Sequence, residues 1–365
     1  MNPPRRLMLC SLAWLGAAVS FGCGDDGADP TPQDAEVDRS VLDAVPDVVE
    51  DATPDAWVPS PVLSTWTTVA PVSGDPVAFQ RVVALDGRLF VLGGRTLNDG
   101  PLAPGGPVTA VYAYDPATDM WEAHTDMPVE LDQPNIAAAA GKIWILGGRG
   151  EKRVFSYDPA TRAWEENGER PVALDIGASA MAVLGSSIYV AGGVIASATN
   201  PRGSRVTTFD VFDSTNNTWQ PLPDMLAESG YFGATVIQDV MYTNGGSTEM
   251  GAVARPGQTF AFDLNTLTWT EKALAPAPVS SFSVAQVDRR MYIIGGITGS
   301  SGRINFEVQV YDPASDTWAF TTDMRTPRFS AGAAALDGKI YVVGGVEQVS
   351  DTEFEATTIV EVLGP

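Results

Sequence analysis

Paired glycines recur along this chain at intervals of about fifty residues, and this repetition limits the possible folds more than any other feature. An aromatic residue stands three positions before the first glycine of each in-phase pair. The six pairs in phase are Gly93-Gly94, Gly147-Gly148, Gly192-Gly193, Gly245-Gly246, Gly295-Gly296 and Gly344-Gly345. One further pair, Gly105-Gly106, is out of phase and is predicted to lie in a loop. Repeat periods of roughly 20 to 50 residues are typical of solenoids, propellers and other arrays.

A tryptophan accompanies each glycine pair and keeps the same period. The separation from this tryptophan to the second glycine is 27 to 29 residues in all six units, beginning with Trp66. In five units a Tyr or Phe stands seven residues before the tryptophan, as in YDPATDMW and YDPASDTW. Asp-Pro in such segments favours a turn, because Pro fixes φ and the Asp side chain bonds back to the backbone. Three markers in one phase indicate a single repeated unit.

Each unit is predicted to contain four strands. In the last unit, residues 329–336 and 339–343 flank a hairpin turn at Asp337-Gly338. The unit before it supplies a third strand at residues 308–311 and a fourth that starts at Trp318. Most opening strands are built from Ala, Gly and Ser. Strands that converge on a common axis leave little room for large side chains, so this composition favours a ring of sheets.

These markers resemble those of the kelch-repeat family, whose members are β-propellers of four-stranded blades. The resemblance covers residues 62–365 and implies an all-β fold, a six-bladed kelch-type β-propeller. The last unit ends on a third strand at residues 360–363, and the strand that it lacks lies at residues 63–69 with Trp66. We therefore expect the N-terminal strand to complete the C-terminal blade and close the ring, which removes two exposed edges. An open solenoid is the alternative architecture.

Residues 1–22 have the pattern of a secretory signal peptide. Arg5 and Arg6 precede an apolar run of about 15 residues, shorter than the roughly 20 needed to span a bilayer. The segment SFGC at residues 20–23 resembles a bacterial lipobox, which implies cleavage before Cys23 and lipidation of Cys23. The expected location is the bacterial cell envelope, anchored by lipid to the outer membrane on its periplasmic or surface side. Cleavage by an ordinary signal peptidase is the alternative, and Arg5-Arg6 also resembles a twin-arginine signal.

Residues 23–61 are predicted to be a lipidated Cys23 followed by a disordered acidic tether. Positions 24–61 contain eleven acidic residues against Arg39 alone, together with six prolines. High charge, frequent Pro and few large apolar side chains are typical of disorder, and like charges extend such a segment. We expect the lipid to be the chain's only contact with the membrane.

Charge and composition exclude several classes of function. The formal net charge of −23 argues against nucleic acid, whose phosphates need a basic surface. One histidine, His124, and two cysteines, of which Cys10 lies in the signal, are too few for a copper site or a Ser/His triad. No cofactor and no metal are therefore predicted, and His124 is expected on the surface of an outer strand. The glycine pairs lack the GxxxxGKS pattern of a phosphate-binding loop.

Loops between the second and third strands are the predicted binding face, because variable loops on a fixed scaffold commonly carry binding. These loops are long except in the second unit, where about five residues at 149–153 leave a notch. Basic side chains fall on or near this notch: Arg95, Arg149, Lys152, Arg153, Arg202 and Arg205. Guanidinium groups there would suit an anionic ligand such as an acidic sugar or a carboxylate-bearing partner. The alternative is that these are solvated charges that pair with nearby acids.

A second candidate set lies at the start of the opening strands. It comprises Tyr231, Phe232, Phe282, Arg328 and Phe329. Exposed rings at these positions could stack on a sugar or a peptide, and packing between blades explains the same rings equally well.

The sequence predicts a monomeric, membrane-anchored binding module outside the cytoplasm, with a protein or glycan ligand. The alternative is an enzyme of epimerase or lyase type that acts on an acidic sugar in an axial pocket. That alternative needs Arg, Tyr and carboxylate side chains that converge in one deep pocket, whereas a binding module needs only a shaped loop face. A third hypothesis is a structural spacer in the cell envelope, which would have no concave binding site.

Overall fold

The structure, a computed structural model, describes residues 61–97, 104–131, 133–171, 176–195, 203–247, 257–298, 303–350 and 353–365. All of them belong to one unit of the chain, Val37–Pro365. Every regular element in these ranges is a β-strand. The described ranges contain no helix that is long and apolar enough to cross a bilayer. The predicted signal and most of the predicted tether, with Cys23, lie outside the described residues, as does Arg202.

Six four-stranded antiparallel sheets follow one another along the described chain, and in sheets 1 to 5 a single repeat supplies all four predicted strands. Written from first to fourth strand, they are sheet 1, Arg81–Leu85, Arg88–Leu92, Val111–Asp115, Met120–Ala123; sheet 2, Ile136–Ala139, Lys142–Gly148, Glu151–Asp158, Ala163–Glu169; sheet 3, Ala180–Leu184, Ser187–Ala191, Phe209–Asp213, Thr218–Pro221; sheet 4, Gly233–Ile237, Val240–Asn244, Thr259–Asp263, Thr268–Lys272; sheet 5, Ser283–Val287, Arg290–Ile294, Val308–Asp312, Thr317–Phe320; and sheet 6, Gly332–Leu336, Lys339–Val343, Val360–Gly364, Thr65–Val69.

Sheet 6 contains the first and the last strands of the described chain. Thr65–Val69 pairs antiparallel with Val360–Gly364, with Trp66 opposite Leu363, so the predicted strand pairing is present. The residue that leads into this strand is fixed on sheet 5. Leu63 N donates to the Tyr292 hydroxyl at 3.3 Å, and Thr321 Oγ1 donates to Leu63 O at 2.6 Å. The first strand of sheet 6 also contacts the first strands of sheets 5 and 1.

The in-phase glycines end the second strands where two parts of the backbone nearly touch. Gly94 has φ of 97°, and a Cβ at that position would lie 2.8 Å from Ala78 O. A side chain is therefore excluded both by conformation and by space. Of the twelve in-phase glycines, only Gly148 does not have positive φ, and it is the last residue of the second strand of sheet 2, which includes the pair.

Short strands extend the loops between second and third strands. Arg95–Leu97 pairs with Pro104–Pro107, so the prediction of a loop at Gly105-Gly106 is wrong. Glycine is needed there because a Cβ on Gly105 would collide with Thr96 Oγ1. The others in these loops are Val194–Ile195, Ser204–Arg205, Ile297–Thr298, Arg303–Ile304, Val346–Gln348 and Phe354–Ala356. Ile176–Gly177 and Arg328–Phe329 lie before first strands and pair with Val194–Ile195 and Val346–Gln348. In sheet 2 the connection is only Arg149-Gly150, between two long strands, which agrees with the predicted short loop.

Apolar side chains packed between neighbouring sheets form the core. Phe90 of sheet 1, for example, lies in one buried cluster with Ile143 and Tyr157 of sheet 2. Tryptophans of the fourth strands also donate across the boundary between sheets, to carbonyls just beyond the preceding fourth strand. These bonds join Trp121 Nε1 to Ala70 O (2.8 Å), Trp164 Nε1 to Thr125 O (3.2 Å), Trp269 Nε1 to Pro223 O (3.0 Å) and Trp318 Nε1 to Ala273 O (3.0 Å). The tryptophans of the fourth strands thus connect neighbouring sheets.

Candidate binding site

Six residues, one from the linker before each first strand, share an unusual backbone conformation. All six have φ between 52° and 61° although none is glycine. We call them the hub residues: Phe79, Gln133, Ala178, Tyr231, Ser281 and Ser330. Left-handed backbone is uncommon for such side chains and costs free energy, so it persists only where the surroundings require it.

Backbone hydrogen bonds between hub residues hold them in this left-handed conformation. Each bond runs from the N–H of one hub residue to the carbonyl of the hub residue in the adjacent sheet. The bonds are Phe79 N to Ser330 O (3.0 Å), Ser330 N to Ser281 O (2.7 Å), Ser281 N to Tyr231 O (3.2 Å), Tyr231 N to Ala178 O (3.2 Å) and Ala178 N to Gln133 O (3.2 Å). Five bonds therefore join all six repeats at one place, and the Phe79–Ser330 bond joins the first repeat to the last.

A cavity of about 60 Å³ lies among the hub residues, and we call it the hub cavity. Its volume is enough for roughly four water molecules. All six hub linkers contribute to its wall, which is made of Phe79, Gln80, Arg81, Gln133, Ala178, Tyr231, Phe232, Ser281, Phe282, Ser330 and Ala331. The wall therefore combines aromatic rings with amides, hydroxyls and one guanidinium.

Arg81 is the charged group in the described wall of the hub cavity. Its Nε donates to Pro134 O at 2.9 Å, which ties sheet 1 to the linker before sheet 2. Within the described residues, the Nη atoms of Arg81 have no hydrogen bond, and no carboxylate forms an ion pair with it. Burial lowers the pKa of Arg81 to about 10. The guanidinium remains charged at neutral pH, since its pKa is still well above 7.

A side-chain hydrogen bond crosses the hub between two non-adjacent repeats. Gln133 Nε2 donates to the Tyr231 hydroxyl at 2.8 Å. The guanidinium of Arg205 lies 5.7 Å from the centre of the Tyr231 ring, a distance that suits a cation–π contact. Tyr231 is thus held from both sides at the wall of the hub cavity.

The predicted aromatic set is divided by the structure. Tyr231, Phe232 and Phe282 come together in the wall of the hub cavity. Phe329 lies elsewhere, with its ring centre 6.4 Å from that of Phe354. Arg328 is fully buried, and its Nη2 lies 3.1 Å from Glu361 Oε2 and 3.1 Å from Val342 O. Direct contact between Arg328 and a ligand would require this ion pair to open.

The predicted basic residues of the loops have partners within the protein. Arg153 forms a bidentate pair with Glu151, with 2.5 Å between Nη2 and Oε2, and Lys152 Nζ lies 2.6 Å from Glu169 Oε2. Arg95 Nη2 donates to Gly105 O at 3.1 Å. Arg149 also has a partner.

Arg205 is buried, and it donates to Ser247 O and Ser247 Oγ at 3.2 Å each. A ligand role for the basic loop residues stays a prediction.

His124 differs from its predicted surface position. Only 3% of its side chain is exposed, because it lies between sheets 1 and 2 against Phe90, with its Nδ1 hydrogen-bonded to the Tyr157 hydroxyl at 2.8 Å. Burial lowers the pKa of His124, aided by the nearby Arg162. The expectation of an exposed histidine is therefore wrong, because the fourth strand packs this side chain against the next sheet.

Sequence reasoning missed Phe79, Gln133 and Arg81, although a signal for them exists. Every hub residue stands fifteen positions before the second glycine of its pair. Arg81 stands thirteen positions before Gly94, where the other repeats have Asn135, Ala180, Gly233, Ser283 and Gly332. Alignment of the repeats on their glycines would therefore have shown one arginine in a column of small or uncharged residues.

Comparison with known proteins gives the family. Residues 177–361 match the model of the KLHDC2/KLHL20/DRC7 Kelch-repeats domain. The chain is 29% identical over 309 residues to "Kelch-like protein terF" of Aspergillus terreus, which covers 78% of this chain and 65% of that protein. It is 22% identical over 268 residues to "Kelch-like protein 23" of Mus musculus, covering 68% of this chain and 43% of that protein.

The chain is also similar to "Beta-scruin" of Limulus polyphemus, at 26% identity over 197 residues, covering 51% of this chain and 21% of that protein. It thus spans less than two thirds of the length of these curated relatives. The family model matches half of the chain, including four of the six in-phase glycine pairs, and the sheets and glycine turns repeat in the same way throughout residues 62–365. The chain therefore belongs to the kelch-repeat family, the all-β proteins of β-propeller type.

Proposed function

We propose that this chain is a protein-interaction module that binds its partner through the loop face of a kelch β-propeller. The loop face is the side that carries the linkers between sheets, with the hub residues, and the loops between second and third strands. One observation carries the proposal: six equivalent backbone positions at the hub carry Phe, Gln, Ala, Tyr, Ser and Ser. A constant backbone with variable side chains is the arrangement in which binding specificity is commonly built.

A closed ring of six blades is part of the proposal. It is supported by the six four-stranded sheets, by the pairing of Thr65–Val69 with Val360–Gly364, and by the hydrogen bonds between hub residues. In a closed ring, Thr65–Val69 covers the edge of Val360–Gly364 in the last sheet, so that edge is not exposed. A sedimentation measurement on the full-length chain should give a compact monomer.

The proposed location is the bacterial cell envelope, with the module held outside the cytoplasm by lipid on Cys23. The support is the sequence of residues 1–23 together with the acidic, Pro-rich segment 24–61. Two or more acyl chains anchor a protein stably, whereas one is marginal. Mass spectrometry of the N-terminal peptide and partition into membranes should both change in Cys23→Ser; a wild-type chain without lipid would refute this part.

The binding function is tested by a screen of the full-length chain against protein, peptide and glycan libraries. Phe79→Ser and Tyr231→Ser should reduce binding at least tenfold without loss of the fold, because Ser281 and Ser330 already hold the same backbone conformation. Arg149→Ala tests the notch of sheet 2 in the same way. Lys142→Ala, beside a turn on the opposite face, is the matched control and should bind normally.

Unchanged binding in both serine variants would refute the loop face as the site. If the screen finds a glycan and no protein, the proposed ligand changes from a protein to a glycan. Turnover of an acidic sugar would favour the alternative hypothesis of an epimerase or lyase. The described wall of the hub cavity includes Arg81 and Tyr231 but no carboxylate, so a binding role has more support.

A further inference from the structure

We infer that the hub cavity is a binding site for a carboxylate group, held by the guanidinium of Arg81 and the hydroxyl of Ser330. This rests on the proposed function, because it names the chemistry that the loop face recognises. Neither residue belongs to the basic loop set predicted from sequence, and both lie in the wall of the same cavity.

The first argument is that Arg81 is an exception within its own repeat position. The equivalent residues are Asn135, Ala180, Gly233, Ser283 and Gly332, all of them buried. A Cβ on Gly332 would meet Val82, and one on Gly233 would meet Phe282, so the position points toward the next sheet. A long charged side chain at this crowded place has no structural counterpart in the other five repeats.

The second argument is the difference between Arg81 and other arginines of the described chain. Arg328 lies 3.1 Å from Glu361, Arg170 lies 2.6 Å from Asp210, and Arg153 lies 2.5 Å from Glu151. Arg81 has a backbone carbonyl as its only partner among the described residues. A guanidinium in the wall of a cavity with no acid beside it suits bidentate contact with a carboxylate.

The third argument is a second donor without a partner. Ser330 is 6% exposed, and its Oγ is buried without a hydrogen-bond partner among the described residues. A buried hydroxyl without a partner costs free energy unless a ligand or water satisfies it. Arg81 and Ser330 therefore offer a charged and a neutral donor to one occupant of the hub cavity.

Size and surroundings narrow the ligand class. A volume of about 60 Å³ is enough for a carboxylate and a few carbons. Phe79 and Phe282 in the wall would contact the carbons next to the carboxylate. Burial without an opposite charge lowers the pKa of Arg81 to about 10, and a bound carboxylate would raise it again. Two sources share this chemistry: a small organic acid, and an acidic side chain presented by a partner protein.

The test measures thermal unfolding of the full-length chain with each source at constant ionic strength. Sodium acetate and propionate probe the free acid, with acetamide as the neutral control. A capped Gly-Asp-Gly peptide probes the acidic side chain, with capped Gly-Asn-Gly as its control. We expect a saturable rise in Tm with at least one carboxylate probe and none with either control. The probe that acts identifies the source, and no rise with any probe would overturn the inference.

Three variants assign the effect to residues. Arg81→Met should abolish the carboxylate-dependent rise, while the Tm without ligand should fall by no more than the loss of the single hydrogen bond to Pro134 O requires. Ser330→Ala should weaken binding severalfold, and its backbone is compatible with Ala because Ala178 has the same φ. Arg88→Met removes an equal charge from an exposed pair with Asp115 and should leave the rise intact.

An unchanged rise in Arg81→Met would overturn the inference. If that variant does not fold, an unchanged rise in Ser330→Ala has the same consequence. The measurement requires no partner protein. Failure of the carboxylate site is therefore distinct from failure of the proposed function, which is read from partner binding in Phe79→Ser and Tyr231→Ser.

Discussion

The fourth strands with their tryptophans, which we call the rim, and the hub residues use the same repeat in opposite ways. At the rim, one residue type performs one task repeatedly: tryptophan indoles donate to the neighbouring sheet in four of the six repeats. At the hub, one backbone conformation recurs six times with different side chains. Stability thus depends on what the repeats share, and recognition depends on what they do not share. The predictions below test that division, beginning with the largest effect.

Removal of residues 62–72 should prevent folding. The deletion takes away the fourth strand of sheet 6, exposes the edge of Val360–Gly364, and removes Leu63 and Trp66 from a buried cluster. We expect an insoluble or unfolded product. A soluble deletion with a single cooperative thermal transition would contradict the role of this strand in joining the first repeat to the last.

Glu361→Gln should reduce the free energy of unfolding by about 3 to 5 kcal/mol, as measured by denaturant titration. The carboxylate is buried beside Arg328, and neutralising it leaves that guanidinium unpaired in the interior. Arg328→Met combined with Glu361→Gln should recover part of the loss. The contrast with Arg81→Met, which should cost only about 1 kcal/mol because one hydrogen bond to Pro134 O is lost, separates a structural arginine from a binding one. Equal losses in both cases would remove that distinction.

Trp318→Phe should cost about 1 kcal/mol more than Trp66→Phe. Both substitutions shrink an aromatic side chain at equivalent rim positions, but only Trp318 Nε1 has a carbonyl partner, Ala273 O, at 3.0 Å. Trp66 Nε1 is buried without a partner among the described residues. The difference between the two unfolding free energies isolates the rim hydrogen bond; no difference would show that packing alone holds the rim.

Acid should weaken the rim at two repeats. The pKa of Asp119 is lowered by hydrogen bonds from Ala70 N and the Tyr114 hydroxyl. The pKa of Asp316 is lowered in the same way by the Tyr311 hydroxyl and Ala273 N. A lowered folded-state pKa means that the stabilisation is present above the usual Asp value of about 3.9 and is lost as pH falls through the lowered pKa.

Asp119→Asn with Asp316→Asn should therefore make Tm less dependent on pH below about pH 4. Asp337→Asn, in a hairpin turn, serves as the control. A wild-type Tm that falls no faster with acid than that of the double variant would argue against these rim bonds.

The fold could be predicted from the sequence because backbone geometry requires the residues that mark each repeat. Gly94 must lack a side chain to pass Ala78, and Asp337-Gly338 must take positive φ to turn, so these residues recur and can be counted. The strands of the last repeat therefore lie close to their predicted bounds, and the first and last strands pair as expected.

The site was predictable only in part. Tyr231, Phe232 and Phe282 were predicted to begin first strands, and they lie in the linkers within two residues of Gly233–Ile237 and Ser283–Val287, because their position in the repeat fixes them there. The partners of a side chain are not fixed in this way. Arg153 meets Glu151 two residues away, but Arg328 meets Glu361 and Gln133 meets Tyr231 only through tertiary packing. His124 was misplaced for the same reason, because nothing local shows which sheet covers it.

The pairing of Trp66 with Leu363 has a consequence for synthesis. Nearly the whole domain must leave the ribosome before Thr65–Val69 can meet Val360–Gly364. Contacts so distant in sequence form slowly, so the early repeats wait with an incomplete neighbour. The sixth sheet of such a chain is therefore complete only after its last strand has been made.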